Sequence, residues 1–203
     1  MNVSIDRPQI LQIKIEADPG DSISGKCQWM IINFDLKNWS MNASGDNGNY
    51  QYSWAVENSG RSFLELMCEL DKEYLLCKVA DKTVFSVKDT INNIKYNYDL
   101  TKKQEEFLDN FERKYSVDRE GFNMVLSDSG LFDRQFVSDI WECMEYDYST
   151  NAKIFAEIFT TIIRDEIKKY IKINESKISW WIIMHYTPKR IYYNLVKRKA
   201  KKT

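Results

Sequence analysis

The sequence predicts an α+β fold, with an N-terminal four-stranded, mainly antiparallel sheet packed against a C-terminal helical portion. Hydrophobic side chains recur at every second residue up to about residue 57, and at helical spacing from Arg61 onward. A chain of 203 residues, 43% of them hydrophobic, is also long enough to bury a real core. We therefore expect one domain over 1–203, with the sheet in 1–58 and the helices in 59–203.

The strongest local signal is the stretch N-W-S-M-N-A-S-G-D-N-G-N-Y-Q-Y-S-W, which predicts a β-hairpin. Asn47-Gly48 is the preferred dipeptide at the centre of a type I′ turn. Such a turn makes Met41 face Trp54, so that apolar side chains meet on one face of the sheet. The alternative, a calcium loop, lacks the twelve-residue spacing and the terminal Glu of an EF-hand. A turn is therefore the prediction.

The run C-Q-W-M-I-I-N-F-D before the hairpin is rich in strand-forming residues and predicts its neighbouring strand. A tight turn at Leu36-Lys37 would place Phe34 opposite Trp39 and extend the same apolar face. The earlier run I-L-Q-I-K-I-E alternates in the same way and supplies the fourth strand.

Helices are predicted from periodic hydrophobic stripes that follow capping signals, of which Ser62 with Glu65 is the first. The expected segments are 62–70, 71–80, 86–98, 101–115, 133–146 and 151–172, followed by a short basic helix opened by Pro188. Residues 118–130 are predicted to be mostly loop, and Asp81-Lys82 is predicted to be a loop.

The sequence leaves the structural role of two apolar segments undecided. The second side of strand two carries Cys27, Trp29 and Ile31, so either a helix covers that side or Trp29 belongs to a binding surface. The run K-I-S-W-W-I-I-M-H-Y fits a strand or a buried helix equally well.

The residue inventory argues against several chemistries. The four cysteines form no C-x-x-C pair, His185 is the single histidine, and phosphate-binding glycine motifs and the G-x-S-x-G elbow are absent. We expect no enzyme activity, no cofactor and no metal site, although scattered carboxylates leave a metal-dependent nuclease as a further alternative. The N-terminus has no signal-peptide pattern and no apolar run reaches bilayer length, so we expect a cytoplasmic protein with no membrane partner.

Charge is distributed unevenly along the chain. Residues 1–150 carry 16 Lys and Arg against 26 Asp and Glu, whereas residues 151–203 carry 13 against 4. The basic C-terminal tail, residues 189–203, could neutralise phosphates while its tyrosines stack on unpaired bases, or it could be a solvated terminus. The candidate partner- or nucleic-acid-binding residues are Lys189, Arg190, Tyr192, Tyr193, Lys197, Arg198, Lys199, Lys201 and Lys202.

Acidic residues also cluster. Asp139, Glu142 and Glu145 lie on one face of the helix predicted over 133–146 and form an acidic ridge. This ridge is either a solvated helix face or a docking surface for the cationic channel of a nucleic-acid-binding protein, because carboxylates present the charge that phosphates would.

The hairpin together with S-F-L-E-L-M-C-E-L-D-K-E-Y-L-L-C-K, covering residues 38–78, resembles small accessory proteins encoded by phages and mobile elements of Gram-positive bacteria. Some proteins of this kind resemble anti-CRISPR proteins that block Cas9. The similar positions are structural, so the resemblance implies a shared fold more directly than a shared function.

These observations lead to three functional hypotheses. The first is a non-enzymatic inhibitor of a bacterial defence nuclease, an anti-CRISPR-like protein that binds a Cas9-type effector, its guide RNA, or both through charged surfaces. The second is a nucleic-acid-binding accessory protein that acts through its basic tail, and the third is the nuclease. The identity of the target and the oligomeric state do not follow from the sequence.

Overall fold

The computed structural model describes residues 9–56, 60–114, 117–175 and 190–195. It confirms the α+β class, with a four-stranded antiparallel N-terminal sheet followed by a mainly helical portion. Within these described ranges, none of the helices has the length and apolar character needed to span a membrane.

The chain divides into two compact units. The sheet unit comprises Met1–Asp81 and Thr150–Thr203, and the insert unit comprises Lys82–Ser149. Two compact units can still fold cooperatively as one domain, so the single domain over 1–203 stays a prediction.

The sheet unit contains five strands, one more than expected, in the spatial order β4-β3-β2-β1-β7. Each neighbouring pair is antiparallel. The strands are β1 (Ile10–Glu16), β2 (Trp29–Asp35), β3 (Ser40–Gly45), β4 (Gly48–Ser53) and, last in the chain, β7 (Arg190–Leu195).

The β3–β4 hairpin turns where the sequence predicts, but its register is shifted by two residues. Met41 pairs with Tyr52, not with Trp54, and the two loop residues are Asp46 and Asn47. Asn47 does not adopt the positive φ that a type I′ turn requires, whereas Gly48 has φ +117°. The turn is therefore of the kind in which the glycine follows the two loop residues, and the predicted register is wrong.

Contacts with the chain before β2 hold this turn in place. The Gln28 backbone N–H donates to Asp46 Oδ2 at 2.6 Å, and Asn47 Nδ2 donates to the Lys26 carbonyl at 2.8 Å. Asn47 is only 5% exposed, so its amide would lose solvation without this partner. These bonds join residues about twenty positions apart, so a rule based on the turn residues alone cannot predict them.

The β2–β3 connection is longer than predicted. Phe34 pairs with Met41, not with Trp39, and four residues, Leu36 to Trp39, make the turn. Asp35 Oδ1 accepts hydrogen bonds from the backbone N–H groups of Lys37 and Asn38 at 3.1 and 3.2 Å. A carboxylate that accepts from the following backbone is a turn-forming device of its own, and it widens the loop.

Five helical segments complete the sheet unit, and α1 begins at the predicted capping box, in which Ser62 and Glu65 exchange hydrogen bonds. Helix α1 packs against α8, and α2 packs against α7. The long helix predicted over 151–172 is continuous from Thr150 to Glu175 but contains one π-helical turn. The segments are α1 (Phe63–Glu69), α2 (Lys72–Val79), α7 (Thr150–Ile158), the π-helical turn (Phe159–Ile163) and α8 (Arg164–Glu175).

The core of this unit lies between one face of the sheet and these helices. Leu11, Ile13 and Ile32 are completely buried on the sheet side. On the helical side the Phe155 ring stacks on Tyr50 with centroids 4.2 Å apart, and Phe159 is completely buried. The alternation predicted for the strands is thus confirmed, because alternate side chains of a strand point to opposite faces.

The insert unit consists of four α-helices, one 3₁₀ turn and a two-stranded sheet. Residues 119–128 form a helix where mostly loop was predicted, with Asp118 as its N-cap. Residues 82–85 form a strand that the sequence did not indicate, so the loop predicted at Asp81-Lys82 is wrong for Lys82. The elements are β5 (Lys82–Phe85), α3 (Val87–Asn97), α4 (Lys102–Lys114), α5 (Arg119–Asp128), α6 (Arg134–Asp139), the 3₁₀ turn (Ile140–Cys143) and β6 (Tyr146–Tyr148).

The insert unit has its own hydrophobic core, centred on Phe111 and Phe122, whose ring centroids are 4.9 Å apart. Ile94, Leu108 and Ile140 are completely buried in the same cluster. The insert unit is therefore stabilised by a hydrophobic core formed within Lys82–Ser149.

Candidate interaction surfaces

The basic tail is partly a β-strand. Residues 190–195 form β7, which pairs with β1, so the predicted helix after Pro188 is wrong for these residues. The I-Y-Y run favours a strand, and β1 offers a free edge with unpaired backbone groups. The β-branched and aromatic residues of I-Y-Y-N-L indicate a strand, and the prediction of a helix overlooked them.

The strand register separates the two tyrosines of the candidate site. Tyr192 is opposite Lys14, whereas Tyr193 is opposite the buried Ile13, and Arg190 is opposite Glu16. The run K-I-S-W-W-I-I-M-H-Y, left open between strand and helix, lies outside the described residues. So do the remaining candidates: Lys189, Lys197, Arg198, Lys199, Lys201 and Lys202. The basic site therefore stays a prediction, with one part of it anchored to the sheet.

The acidic ridge is not a helix face. The helix predicted over 133–146 ends at Asp139, the 3₁₀ turn follows with Glu142 in it, and Glu145 comes after the turn. Asp139 and Glu142 are exposed, while Glu145 is partly buried and its Oε1 accepts a hydrogen bond from Asn93 Nδ2 at 3.1 Å. The continuous helix is wrong, and only the first two carboxylates face solvent freely.

Tertiary contacts hold Glu145, at the end of the predicted helix, outside helical structure. Completely buried Thr90 accepts a hydrogen bond on its Oγ1 from the Glu145 backbone N–H at 2.9 Å, and the Ser86 backbone N–H donates to the Glu145 carbonyl at 2.8 Å. These bonds to the start of α3 align residues 146–148 with β5 as a strand. A residue bonded in this way cannot continue the helical ladder.

The surface of the insert unit carries an excess of negative charge. Between Lys82 and Ser149 there are 9 Lys and Arg against 14 Asp and Glu, a net charge of −5. Among the residues that the structure describes, Asp139 and Glu142 form no ion pair, and Asp139 Oδ1 accepts only from Gln135 Nε2 at 2.8 Å. Their charges are therefore not compensated locally.

The sequence analysis did not single out Trp141, although it lies between these two carboxylates. Its side chain is 67% exposed, the largest exposed fraction of any described tryptophan. The signal was present, because Trp141 is off the apolar stripe of Phe136, Ile140 and Met144. Exposed tryptophans are enriched at protein-binding surfaces, where they contribute much of the binding energy.

Tyr98 borders the same surface. Burial, followed by the neighbouring Cys143, Asp139 and Glu142 groups, raises the pKa of the Tyr98 phenol. Its ring meets Phe136 edge to face with centroids 5.0 Å apart. The phenol therefore stays a neutral hydrogen-bonding group beside the carboxylates at neutral pH.

The open side of the sheet is mainly polar. Gln12 Nε2 donates to Asn33 Oδ1 at 2.8 Å, and Ser44 Oγ donates to Asn49 Oδ1 at 2.6 Å. The described residues leave the Trp29 side chain 46% exposed. That Trp29 belongs to a binding surface stays a prediction. A shallow depression of about 430 Å³ lies over β3 and β4, lined by Ser40, Met41, Asn42, Gln51, Tyr52 and Ser53.

The side chains of the D-N-G-N turn form hydrogen bonds within the protein itself. Asp46 accepts from Gln28, Asn47 donates to Lys26, and Asn49 accepts from Ser44. This confirms the turn. Across the part of the chain that the structure describes, no group of three or more His, Cys, Asp or Glu residues is arranged to hold a metal ion.

The described chain is thus an α+β protein whose candidate sites are charged and aromatic surfaces. It belongs to a phage family: the model of Phage_phiTE_072, described as a phage family, matches residues 3–169. This confirms the phage part of the resemblance. No curated protein and no solved structure matches the chain.

Proposed function

We propose that this phage protein is a non-enzymatic inhibitor of a bacterial defence nuclease of the Cas9 type, and that it binds the effector, with or without guide RNA, through its insert unit. Membership of a phage family supports this proposal, because a phage gains from blocking a nuclease that cleaves its genome. The observation that carries it is the net charge of −5 on the insert unit, with Asp139 and Glu142 exposed and without ion pairs in the described residues.

The physical argument is electrostatic. A nuclease holds nucleic acid in a positively charged channel and recognises mainly its backbone charge. Exposed carboxylates attract such a channel, steer association and compete with phosphates for the same cations. Binding of this kind needs no reactive group on the inhibitor.

The test is co-purification with a panel of Cas9-type effectors, each with and without guide, combined with a target-cleavage assay. The double variant Asp139→Lys with Glu142→Lys should weaken binding and inhibition at least about tenfold, because two attractive contacts become repulsive. The matched control, Glu105→Lys with Glu106→Lys, makes the same change in net charge on exposed positions of α4. The wild type binding none of the effectors contradicts the proposal, as does an equal loss in the control.

The second candidate function is nucleic-acid binding through the basic tail. Seven cations and no anion among the last fifteen residues favour it. The pairing of β7 with β1 means that deleting residues 189–203 would also remove a strand, so substitution is the sharper test. Changing Lys197, Arg198, Lys199, Lys201 and Lys202 to Gln leaves β7 intact.

This candidate predicts that wild-type protein binds single-stranded RNA with an affinity that falls steeply as salt rises, and that the Gln variant loses both the affinity and the salt dependence. Fluorescence anisotropy of a labelled RNA measures both. Salt-independent binding would argue against it. A gel of the same RNA incubated with the protein and Mg²⁺ tests the third possibility, a metal-dependent nuclease.

A further inference from the structure

The orientation of Trp141 is set by the turn that carries it. The segment Ile140–Cys143 is a 3₁₀ turn, which repeats every three residues. Ile140 and Cys143 therefore lie on one side, and both are buried in the core of the insert unit. Trp141 and Glu142 consequently point outward, and both are exposed.

The same segment is held firmly in place. The Met144 backbone N–H donates to the Trp141 carbonyl at 3.3 Å, and Asn93 Nδ2 donates to the Cys143 carbonyl at 3.3 Å. The hydrogen bonds of Glu145 to Thr90 and Ser86 fix its far end. Because the backbone is already ordered, a partner that binds Trp141 pays little conformational entropy for this loop.

The chemistry around the indole selects the kind of partner. Asp139 and Glu142 lie on either side of Trp141 in the chain and have no cation among the described residues. A guanidinium group can stack on an indole face and donate to a carboxylate at the same time, because it is planar and carries five N–H donors. A lysine ammonium is a compact, strongly hydrated charge and gains less from such a site.

We propose that Trp141, Asp139 and Glu142 form a binding site for an arginine side chain on the surface of a protein partner. The site rests on the proposed function only in that a nuclease channel would supply the arginine. Trp141 covers the guanidinium face, and the carboxylates accept its N–H groups. Loss of this one contact weakens binding more than loss of an ordinary surface contact, because buried Trp–Arg contacts concentrate interface energy.

The probes are a fluorescein-labelled oligoarginine peptide and an oligolysine peptide of the same length, titrated by anisotropy against the full chain. The arginine peptide should bind about tenfold tighter than the lysine peptide. Trp141→Ala should weaken arginine binding about tenfold and remove the preference. Glu142→Gln should weaken it several-fold.

The matched control is Tyr74→Ala, which removes an exposed aromatic ring from α2 of the sheet unit and should leave both affinities unchanged. Circular dichroism establishes that each variant is folded. The proposal is overturned if Trp141→Ala binds as the wild type does, if the peptides bind equally, or if neither peptide binds.

The nuclease panel separates this inference from the proposed function. Arginine binding that depends on Trp141, in a protein that binds none of the effectors, supports the site and removes the nuclease as its partner. Inhibition of a nuclease that is unaffected by Trp141→Ala supports the inhibitor and overturns the site.

Discussion

The indole ring of Trp39 stacks on the phenyl ring of Phe63, with centroids 5.7 Å apart and planes inclined by 24°. Trp39 reaches this position with φ +50°, an unusual conformation for a bulky residue. Phe63, the first residue of α1, also meets Phe34 at 6.2 Å and Trp54 at 5.7 Å. One ring thus contacts aromatic side chains from β2, from the β2–β3 turn and from the residue that follows β4.

Replacing this ring should be strongly destabilising. Phe63→Ala should lower the free energy of unfolding by about 3–5 kcal/mol, because it removes a buried aromatic ring and leaves a cavity among three others. Urea denaturation measures the change. Val56→Ala, at a position that is 59% exposed in the same unit, should change stability by less than about 0.5 kcal/mol. Equal effects of the two substitutions would contradict this packing.

Replacing Gly48 and replacing Gly25 by alanine should change the stability of the protein in opposite directions. Gly48 has φ +117°, and a Cβ atom there would lie 3.3 Å from Tyr50 Oη, so Gly48→Ala should destabilise by about 1–3 kcal/mol. Gly25 has no such φ, and a Cβ atom there meets nothing within 4 Å. Gly25→Ala should therefore be neutral or stabilise by up to about 1 kcal/mol. Thermal unfolding of the two variants measures both effects, and a Gly48→Ala protein as stable as the wild type would contradict the positive φ at Gly48.

The cysteines should differ sharply in reactivity. Burial, followed by the charge of Asp46, raises the pKa of Cys27 to about 12, and burial also raises the pKa of Cys143. Since the thiolate is the reactive form, the raised pKa and burial of Cys27 should make it unreactive at pH 8, whereas Cys77 is exposed.

Alkylation of the native protein at pH 8, followed by peptide mass spectrometry, should therefore label Cys77 first and leave Cys27 and Cys143 unlabelled until denaturant is added. Cys77→Ser should remove the fast phase. Rapid labelling of Cys27 in the folded protein would show that its environment is open.

The ion pair between Lys26 and Glu157 should give a small, pH-dependent stabilisation. Lys26 Nζ lies 2.7 Å from Glu157 Oε1, and this hydrogen bond and charge lower the pKa of Glu157. A lowered folded-state pKa stabilises the fold above the unfolded pKa, and the stabilisation is lost as pH falls through the folded value.

Both partners are about half exposed, so Glu157→Gln should cost at most about 1 kcal/mol at pH 7 and nothing measurable in strong acid. High salt should reduce the difference. The matched control is Glu106→Gln, at an exposed position with no ion pair among the described residues, which should leave the free energy of unfolding at pH 7 unchanged. If the wild type and Glu157→Gln still differ in free energy of unfolding in strong acid, Glu157 stabilises the fold through packing and not through its charge.

Only some features of the candidate surfaces could be predicted from the sequence. Charge runs are visible in any sequence, so Asp139 and Glu142 could be singled out without coordinates. The sequence also places Trp141 off the apolar stripe of the predicted helix, but its exposure is fixed by a 3₁₀ turn that contacts with α3 hold in place. Strand formation at Tyr192 depends similarly on the free edge of β1, which lies far away in the chain.

The sequence by itself determined which side chains are buried in the sheet and where the capped helices begin. Alternation separates Leu11, Ile13 and Ile15 from their neighbours, and a capping box such as Ser62 with Glu65 acts within one turn. Only the tertiary structure decided the strand register. A shift of two residues keeps every side chain on its own face, so alternation cannot distinguish Met41 opposite Tyr52 from Met41 opposite Trp54. Hydrogen bonds from Asn47 to Lys26 and from Gln28 to Asp46, across a long stretch of chain, make that choice.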